Sequence, residues 1–328
     1  MSTAPAQIVP VQHETSVDRP PSDASDPSAA PPSVLVIGNF DGVHRGHQAV
    51  LGEAVARAHE TGLRACVLTF DPHPAEVVGA GAPPVLTTLA RRAELMGELG
   101  VERVYVQTFD ASFAAWSPER FVRELVVGAL RARYVVVGEN FRFGAKRAGD
   151  LGLLRAHGEQ LGFHALVHAV SSDAHGPFSS TRAREAVSSG DLVEVQAVLG
   201  RPHALSGLVV RGDQRGRTLQ FPTANLANVP EILPPNGVYA VRVDRLDPAG
   251  ASAVPLAGGV TNIGTRPTVG GGARTIETHL FDFSGDLYGA LLRVHLVASL
   301  RSERRFASLD ELKAQIARDA ADARAKLA

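Results

Sequence analysis

From Val34 onward, apolar and polar positions follow two alternating rhythms. Short apolar runs, "VLVIG", "RACVLTF", "RVYVQTF", "RYVVVGE" and "HALVHAV", have the length and β-branched content of buried strands. Between them apolar residues recur at helical spacing over Gly46–Thr61, Leu86–Gly100, Ser117–Leu130 and Asp150–Gly162. Thr88 and the Ser117-Pro118 pair, with Glu119 behind it, are helix start signals. Strand, helix and strand repeated in this way predict an α/β architecture, a doubly wound parallel sheet covered on both faces. Ligands of such sheets bind at the carboxyl ends of the strands, near the point where strand order reverses. Three polar segments fall at strand ends: "GNFDGVHRGH", "TFDPHP" and "GENFRFG".

After Gly200 the rhythm changes. "RPHALSG" reads as a linker, and shorter strand-like runs follow: "ALSGLVVRG", "GVYAVRVDRL", "LAGGVTNIG", "TIETHLFDF" and "ALLRVHLVASL". Their spacing predicts a small antiparallel β-barrel. Ser308 with Glu311 forms a capping box that opens an amphipathic C-terminal helix. The first 33 residues, rich in Pro, Ser, Ala and Asp, carry no continuous apolar segment and predict a disordered tail. They lack the basic and apolar regions of a signal peptide. The expected organisation is therefore a tail over 1–33, a parallel α/β domain over 34–200 and a barrel domain over 204–328.

Charge narrows the function. With 33 Lys and Arg against 34 Asp and Glu, the net charge is −1, so no overall positive field draws the chain to nucleic acid. No apolar run approaches the roughly 18 residues of a membrane span. The single cysteine, Cys66, permits no internal disulfide and fits a reducing, cytoplasmic compartment. Inside "RACVLTF" it reads as a small buried hydrophobe and not as a nucleophile. Nothing in the sequence fixes an oligomeric state.

Candidate chemistry begins at His44 and His47, set at the mouth of a helix directly after the first strand. A helix start offers backbone N–H groups and a favourable dipole to an anion. Gly42 and Gly46 allow close backbone approach, and two imidazoles can donate hydrogen bonds to phosphate oxygens. This describes a triphosphate cradle without a Walker lysine. Two surface histidines are the alternative; zinc ligation lacks a Cys or carboxylate partner at suitable spacing. In "FSSTRAREAV", Ser179, Ser180 and Thr181 are cap candidates, with Arg182 and Arg184 in the first turn. Two cations at a helix N-terminus suit its dipole poorly unless an anion lies between them.

The second half holds its own constellation. "RGDQRGR" contains Gly212, Arg215 and Gly216, a glycine-rich basic loop suited to phosphate and equally to a hairpin tip. Thr223 and Asn225, in "FPTANL", are hard oxygen donors of the kind Mg²⁺ accepts beside substrate phosphates. In "TIETHLFDF", strand alternation sets Glu277, His279 and Phe281 on one face and Ile276, Thr278 and Leu280 on the other. A carboxylate beside a phosphate site can take a proton from an attacking hydroxyl. An ordinary solvent-facing strand is the plainer reading of Glu277.

Taken in order, "GNFDGVHRGH", "TFDPHP", "VVGENFRFG" and "SSTRAR" resemble the adenylyltransferase half of the bacterial bifunctional riboflavin kinase/FAD synthetases. The H-x-G-H element alone is shared by the wider nucleotidyltransferase superfamily. "RGDQRGR", "FPTANL", "NGVYAVRV", "NIGTRPTV", "ETHLFDF" and "DLYG" resemble the riboflavin kinase module, so the resemblance runs from Val34 to about Ala328. It implies a nucleotidyltransferase-like sheet and two steps. The C-terminal module would phosphorylate riboflavin to FMN, and the N-terminal one would adenylylate FMN to FAD with release of pyrophosphate. ATP, riboflavin, FMN and FAD are then the small-molecule partners.

The resemblance also implies residue roles. His44 and His47 hold ATP phosphates and stabilise the transition state. Gly38, Phe40, Asp41, Gly46, Asn140, Ser180, Thr181 and Arg184 belong to the same ATP site. Thr223 and Asn225 hold Mg²⁺, Glu277 is the base of the kinase, and Phe70, His73 and Phe143 lie toward the flavin. Two positions depart from the family pattern. Ala183 replaces a larger aliphatic residue, a packing change. Gln220 replaces the glycine before Phe-Pro-Thr-Ala-Asn, which means strain if that position needs φ > 0 and would impair the kinase. A flavin-binding regulator without chemistry is the alternative from another class. Such a binder has no need of His44, His47, Asn140, Thr223, Asn225 and Glu277 together.

Overall fold

The computed structural model describes residues 6–11, 32–79, 81–212, 221–250, 252–265 and 274–328. Strand β2 (Ser33–Ile37) is buried at every position, as its unbroken apolar run requires of a strand covered on both faces. With β1 (Gln7–Pro10), β3 (Arg64–Asp71), β4 (Arg103–Thr108), β5 (Ala132–Gly138) and β6 (His164–His168) it forms one sheet. The order is β1-β4-β3-β2-β5-β6, and every pairing is parallel. The chain winds outward from β2 to β3 and β4, then returns to β5 on the other side of β2. That reversal puts the switch point at the carboxyl ends of β2 and β5.

The two-residue period of the strands sorts the core. Leu35, Ile37, Cys66, Leu68, Val135 and Val137 pack on one face. Val34, Val36, Ala65, Val67 and Val136 pack on the other, against helices α1 (Arg45–Thr61) and α3 (Leu89–Glu98). Burial pushes the Cys66 thiol up to about 12, so it offers no thiolate. Helix α2 (Pro74–Val77) follows β3, and α4 (Ala111–Ala114) follows β4. Helix α5 (Pro118–Arg120) starts at the Ser117 cap and continues as a π-helix over Phe121–Ala129. Helix α6 (Leu151–Leu161) precedes β6, and a short hairpin, β7 (Ser172–Asp173) and β8 (Gly176–Pro177), follows it.

Strand β1 corrects the expectation that residues 1–33 carry no structure. Gln7 N donates to Glu102 O at 3.0 Å and Val11 N to Val106 O at 3.0 Å, so the segment completes the outer edge of β4. Ala6 is buried and Val9 packs on the core. Four residues ending in proline give too little pattern to predict a strand, yet an edge needs one ladder only and tolerates Pro10. Deleting residues 1–11 should expose the β4 edge and lower the melting temperature by roughly 2–8 °C. Thermal unfolding of the shortened chain checks this, and an unchanged transition would show that β1 adds no stability.

The described residues divide into two compact units. One ends at Phe178 and omits Pro84–Arg91, which joins Ser179–Ala328 in the second. The division thus falls before the expected change near Gly200. Helices α7 (Ser180–Ser189) and α8 (Leu192–Leu199) pack on each other, and α8 packs on β9 (His203–Val210) and β14 (Leu291–Ser302). Most of the expected linker "RPHALSG" is already β9. Within the same unit, Ile232 N donates to Val85 O at 2.7 Å, which ties Pro84–Arg91 to the barrel.

The barrel adds β10 (Ala224–Ala227), β11 (Gly237–Leu246), β12 (Ala253–Thr265) and β13 (Arg274–Leu280). It closes in the order β10-β13-β12-β11-β14-β9, antiparallel throughout. Helix α9 (Leu309–Leu327) lays Ala320, Ala323 and Leu327 against Ala240 and Phe281 on the outside of the barrel. Its cap is the expected box shifted by one residue. Ser308 Oγ accepts from Glu311 N at 3.1 Å, and the Glu311 carboxylate accepts from Ala307 N at 3.0 Å.

Candidate active sites

The first site grows from the end of β2. The chain must leave a buried strand and start α1 within a few residues, and residues 38–44 do so through left-handed backbone at Phe40 (φ 53°), Gly42 (φ 82°) and Val43 (φ 38°). His44 then caps the helix: its Nδ1 accepts from His47 N at 3.3 Å. With Nδ1 used as an acceptor, a neutral His44 carries its hydrogen on Nε2 and offers it as a donor. The His47 ring stacks on that of His44, centroids 3.6 Å apart at 23°, and lies 4.9 Å from the Phe40 ring. Gly46 is needed for this packing, because a Cβ there would meet the His44 ring at 3.1 Å. Two imidazoles are thus held together at the switch point of the sheet and at a helix N-terminus, where an anion is favoured.

Other predicted residues of the first unit fall around this loop. Asp41 is buried, and the Arg92 guanidinium stands 4.0 Å from its carboxylate. Asn140 is exposed in the segment after β5, the strand beside β2. His73 caps α2 through Nδ1, which accepts from Ala75 N at 3.1 Å, and its Nε2 lies 3.0 Å from the Asn39 carboxamide. Phe70 is half-buried beside Phe109 and Phe113. Phe143 is buried against Phe121 and Phe141, so packing is its role in the fold and it presents no open ring face.

Ser180, Thr181 and Arg184 lie on α7, in the second unit. Of the three cap candidates, Ser179 is the one used, with Oγ accepting from Arg182 N at 3.1 Å. An anion between Arg182 and Arg184 was the expected reason for two arginines there. Arg182 Nε pairs with Glu194 at 2.5 Å and Arg184 Nε donates to Pro84 O at 2.7 Å. Ala183 is fully buried, as a packing position should be.

The second site is built by strand register. Asn225 on β10 stands opposite Glu277 on β13, and Glu277 stands opposite Asn262 on β12. Ile276, Thr278 and Leu280 point into the barrel, which leaves this polar row on the outer face. Gly212 supports the row, since a Cβ there would come within 2.6 Å of the Asn225 carboxamide. Thr223 and Asn225 line a cavity of about 510 Å³ together with Phe283, Asp286 and Tyr288. Glu277 is not part of that lining but holds the neighbouring position on β13. The Nδ1–H of His279 donates to Pro222 O at 2.9 Å, tying the segment before Thr223 to the strand of Glu277. Arg215, Gly216 and Gln220 lie outside the described residues, and with them the question of strain at Gln220.

Thr223 and Asn225 suit magnesium by the chemistry of their donors. Both offer neutral hard oxygen at one cavity wall. Among the described residues no group of three or more His, Cys, Asp or Glu gathers to cage a metal. A cation here would complete its shell from substrate phosphates and water, which is the habit of Mg²⁺.

Three residues of these sites were not foreseen. Arg92 reaches its site through packing and carries no local signal, and Asn262, which opens the motif "NIGTRPTV", reaches Glu277 only through strand register. His279 was placed on the Glu277 face by alternation, but its link to Pro222 spans 57 residues of sequence.

A histidine pair at the switch point of a parallel sheet, followed by a barrel whose cleft carries Thr223 and Asn225, defines a two-module enzyme class that handles nucleotide phosphates. Family models agree module by module: that for FAD synthetase matches residues 26–182 and that for riboflavin kinase residues 199–327. The bifunctional riboflavin kinase/FMN adenylyltransferase of Escherichia coli K12 is 44% identical over 292 residues, 89% of this chain and 91% of that protein. That of Bacillus subtilis is 36% identical over 297 residues, again 89% and 91%. A solved Streptococcus pneumoniae structure described as a macrolide-efflux protein has a TM-score of 0.79 at 28% identity, over 95% of this chain and 97% of that one. The chain belongs to the bifunctional riboflavin kinase/FMN adenylyltransferase family. Among its described residues no helix is long and apolar enough to cross a membrane.

Proposed function

We infer that the chain converts riboflavin to FMN in its barrel module and FMN to FAD in its parallel α/β module, using ATP in both steps. The observation that carries this reading is the presence of two separate constellations in one chain, the His44–His47 pair and the Thr223–Asn225–Glu277 set.

In the kinase step, Glu277 takes the proton of the ribityl 5′-hydroxyl as its oxygen attacks the γ-phosphorus. The bond from that phosphorus to the bridging oxygen breaks, and ADP leaves. Thr223 and Asn225 are assigned to Mg²⁺, which when bound neutralises charge on the ATP phosphates. Asn262, opposite Glu277, is assigned to orient its carboxylate. Gly212, Arg215 and Gly216 are assigned to the phosphates. In the adenylyl transfer, a phosphate oxygen of FMN attacks the α-phosphorus in line, and the bond to the β-bridging oxygen breaks to release pyrophosphate. No proton has to be removed from the attacking phosphate, so the work is positioning and charge stabilisation. The His44 Nε2–H and the adjoining His47 ring supply it, with Gly38, Phe40, Asp41, Gly46 and Asn140 around them. Family membership alone assigns Ser180, Thr181 and Arg184 to the triphosphate. Phe70 and His73, open where Phe143 is not, are assigned to the flavin side. The single buried cysteine supports a reducing, cytoplasmic location.

The test is chromatography of products from riboflavin, ATP and Mg²⁺. FMN followed by FAD is the expected result. Neither product from folded protein would overturn the reading in favour of a flavin-binding regulator.

A further inference from the structure

We propose that Arg92 is a positioning residue of the adenylyl-transfer site, acting through the strained loop that carries His44; this rests on the reading of that loop given above. Residues 38–44 hold a backbone that side chains resist. Phe40 and Val43 both have positive φ, 53° and 38°, and a β-branched residue such as Val43 tolerates this least. Such conformations persist only where the surroundings over-determine them, and they concentrate at functional sites. The question is what holds this one.

Local sequence supplies part of the restraint. Phe40 and Val43 are themselves buried, which anchors the loop by its side chains. Thr69 Oγ1 on β3 donates to Asn39 O at 3.2 Å, and His73 holds the Asn39 carboxamide. Arg92, reaching from α3, adds what these cannot. Its Nη1 donates to the same Asn39 carbonyl at 3.1 Å while its Nε faces the Asp41 carboxylate at 4.0 Å. One rigid fork thus links the Asn39 carbonyl and the Asp41 carboxylate, the residues on either side of Phe40, the first left-handed residue. The Arg92 side chain is 13% exposed and that of Asp41 6%, so both charges are largely withdrawn from water. Arg92 Nη1 and Nε both face the backbone and side chain of this loop. Its proposed effect on ATP runs through the aim of His44, three residues beyond Asp41.

Lysine cannot reproduce this. An ammonium is a point donor on a flexible stem, whereas the planar fork reaches a carbonyl and a carboxylate in fixed relation. The site thus distinguishes charge from geometry, and an experiment can do the same.

Steady-state kinetics of both reactions should be measured on the full chain carrying Arg92→Ala, Arg92→Lys and, as a reference, His47→Ala. The expected result for Arg92→Ala is a fall of roughly 10- to 100-fold in kcat for FAD formation from FMN, as for an active group misplaced by about an ångström. KM for ATP and FMN should move by less than about threefold, and riboflavin phosphorylation should be unchanged. Arg92→Lys should recover part of the lost kcat but not all of it. An unchanged kcat in Arg92→Ala overturns the proposal, as does a rise in KM for ATP at constant kcat, which would make Arg92 a direct ATP ligand. If Arg92→Ala fails to fold, Arg92→Lys decides: full activity would reduce Arg92 to a charge needed for folding and overturn the proposal. His47→Ala separates the two readings. If it leaves FAD formation intact, the site assignment itself fails. If it abolishes FAD formation while the Arg92 variants are normal, only the role of Arg92 fails.

Discussion

Glu277→Gln should cut FMN formation from riboflavin by roughly two to four orders of magnitude, the range that general-base catalysis supplies. The same protein, given FMN and ATP, should make FAD at its normal rate. Glutamine keeps the size and planarity of the side chain but cannot take a proton from the ribityl hydroxyl. The substitution is also structurally mild. Glu277 lies on the outer face of β13, between Asn225 and Asn262 on the flanking strands, where a third carboxamide can be accommodated without burying a charge. Loss of activity with the melting transition unchanged therefore reports chemistry. If FMN formation falls less than about fivefold, Glu277 is an ordinary outward strand residue and the base lies elsewhere.

The fold was legible where one local period repeats over a whole element. The β2 sequence "SVLVI" is buried throughout, so it stands out as a run, and the alternating strands and helices around it follow the same grammar. Legibility failed for elements that borrow their stability from a neighbour. Strand β1 is four residues long and is stabilised by the edge of β4. Strand β10, "ANLA", is as short, with only two inward residues to mark its period. Helices α7 and α8 continue the α/β rhythm in sequence but belong by contact to the barrel unit. Rhythm alone cannot say which sheet a helix will cover.

The same distinction runs through the sites. His44 and His47 were legible because cap, glycine and helix start are neighbours in the chain, and their stacking follows from spacing of three. The row Asn225–Glu277–Asn262 depends on register between strands far apart in sequence, so only two of its three members were picked out. Arg92 meets Asn39 across 53 residues, and nothing near Arg92 announces it. Short-range chemistry is written in motifs, whereas long-range positioning is written in packing.

His47→Ala should do the reverse of Glu277→Gln. FAD formation from FMN should fall by roughly two to three orders of magnitude, the cost of one lost donor to charge that develops in the transition state. Supplied with riboflavin, the variant should accumulate FMN and stop. The expectation rests on where the ring sits. His47 is the third residue of α1, stacked on His44 at 3.6 Å, at the end of the sheet where strand order reverses. Its backbone N–H caps onto His44 and survives substitution, so the helix start should persist while the imidazole is lost. Removing the ring also removes the stacking partner that steadies His44, which pushes the loss toward the upper end of the range. The two chemistries then separate by residue, because the His44–His47 pair and the Thr223–Asn225–Glu277 set belong to different compact units, each with its own core. Chromatography of riboflavin, FMN and FAD for both variants, under saturating ATP and Mg²⁺, reads the result directly. If either substitution abolished both steps in a protein that still unfolds cooperatively, the assignment of one step to each unit would be wrong, and a single site serving both reactions would replace it.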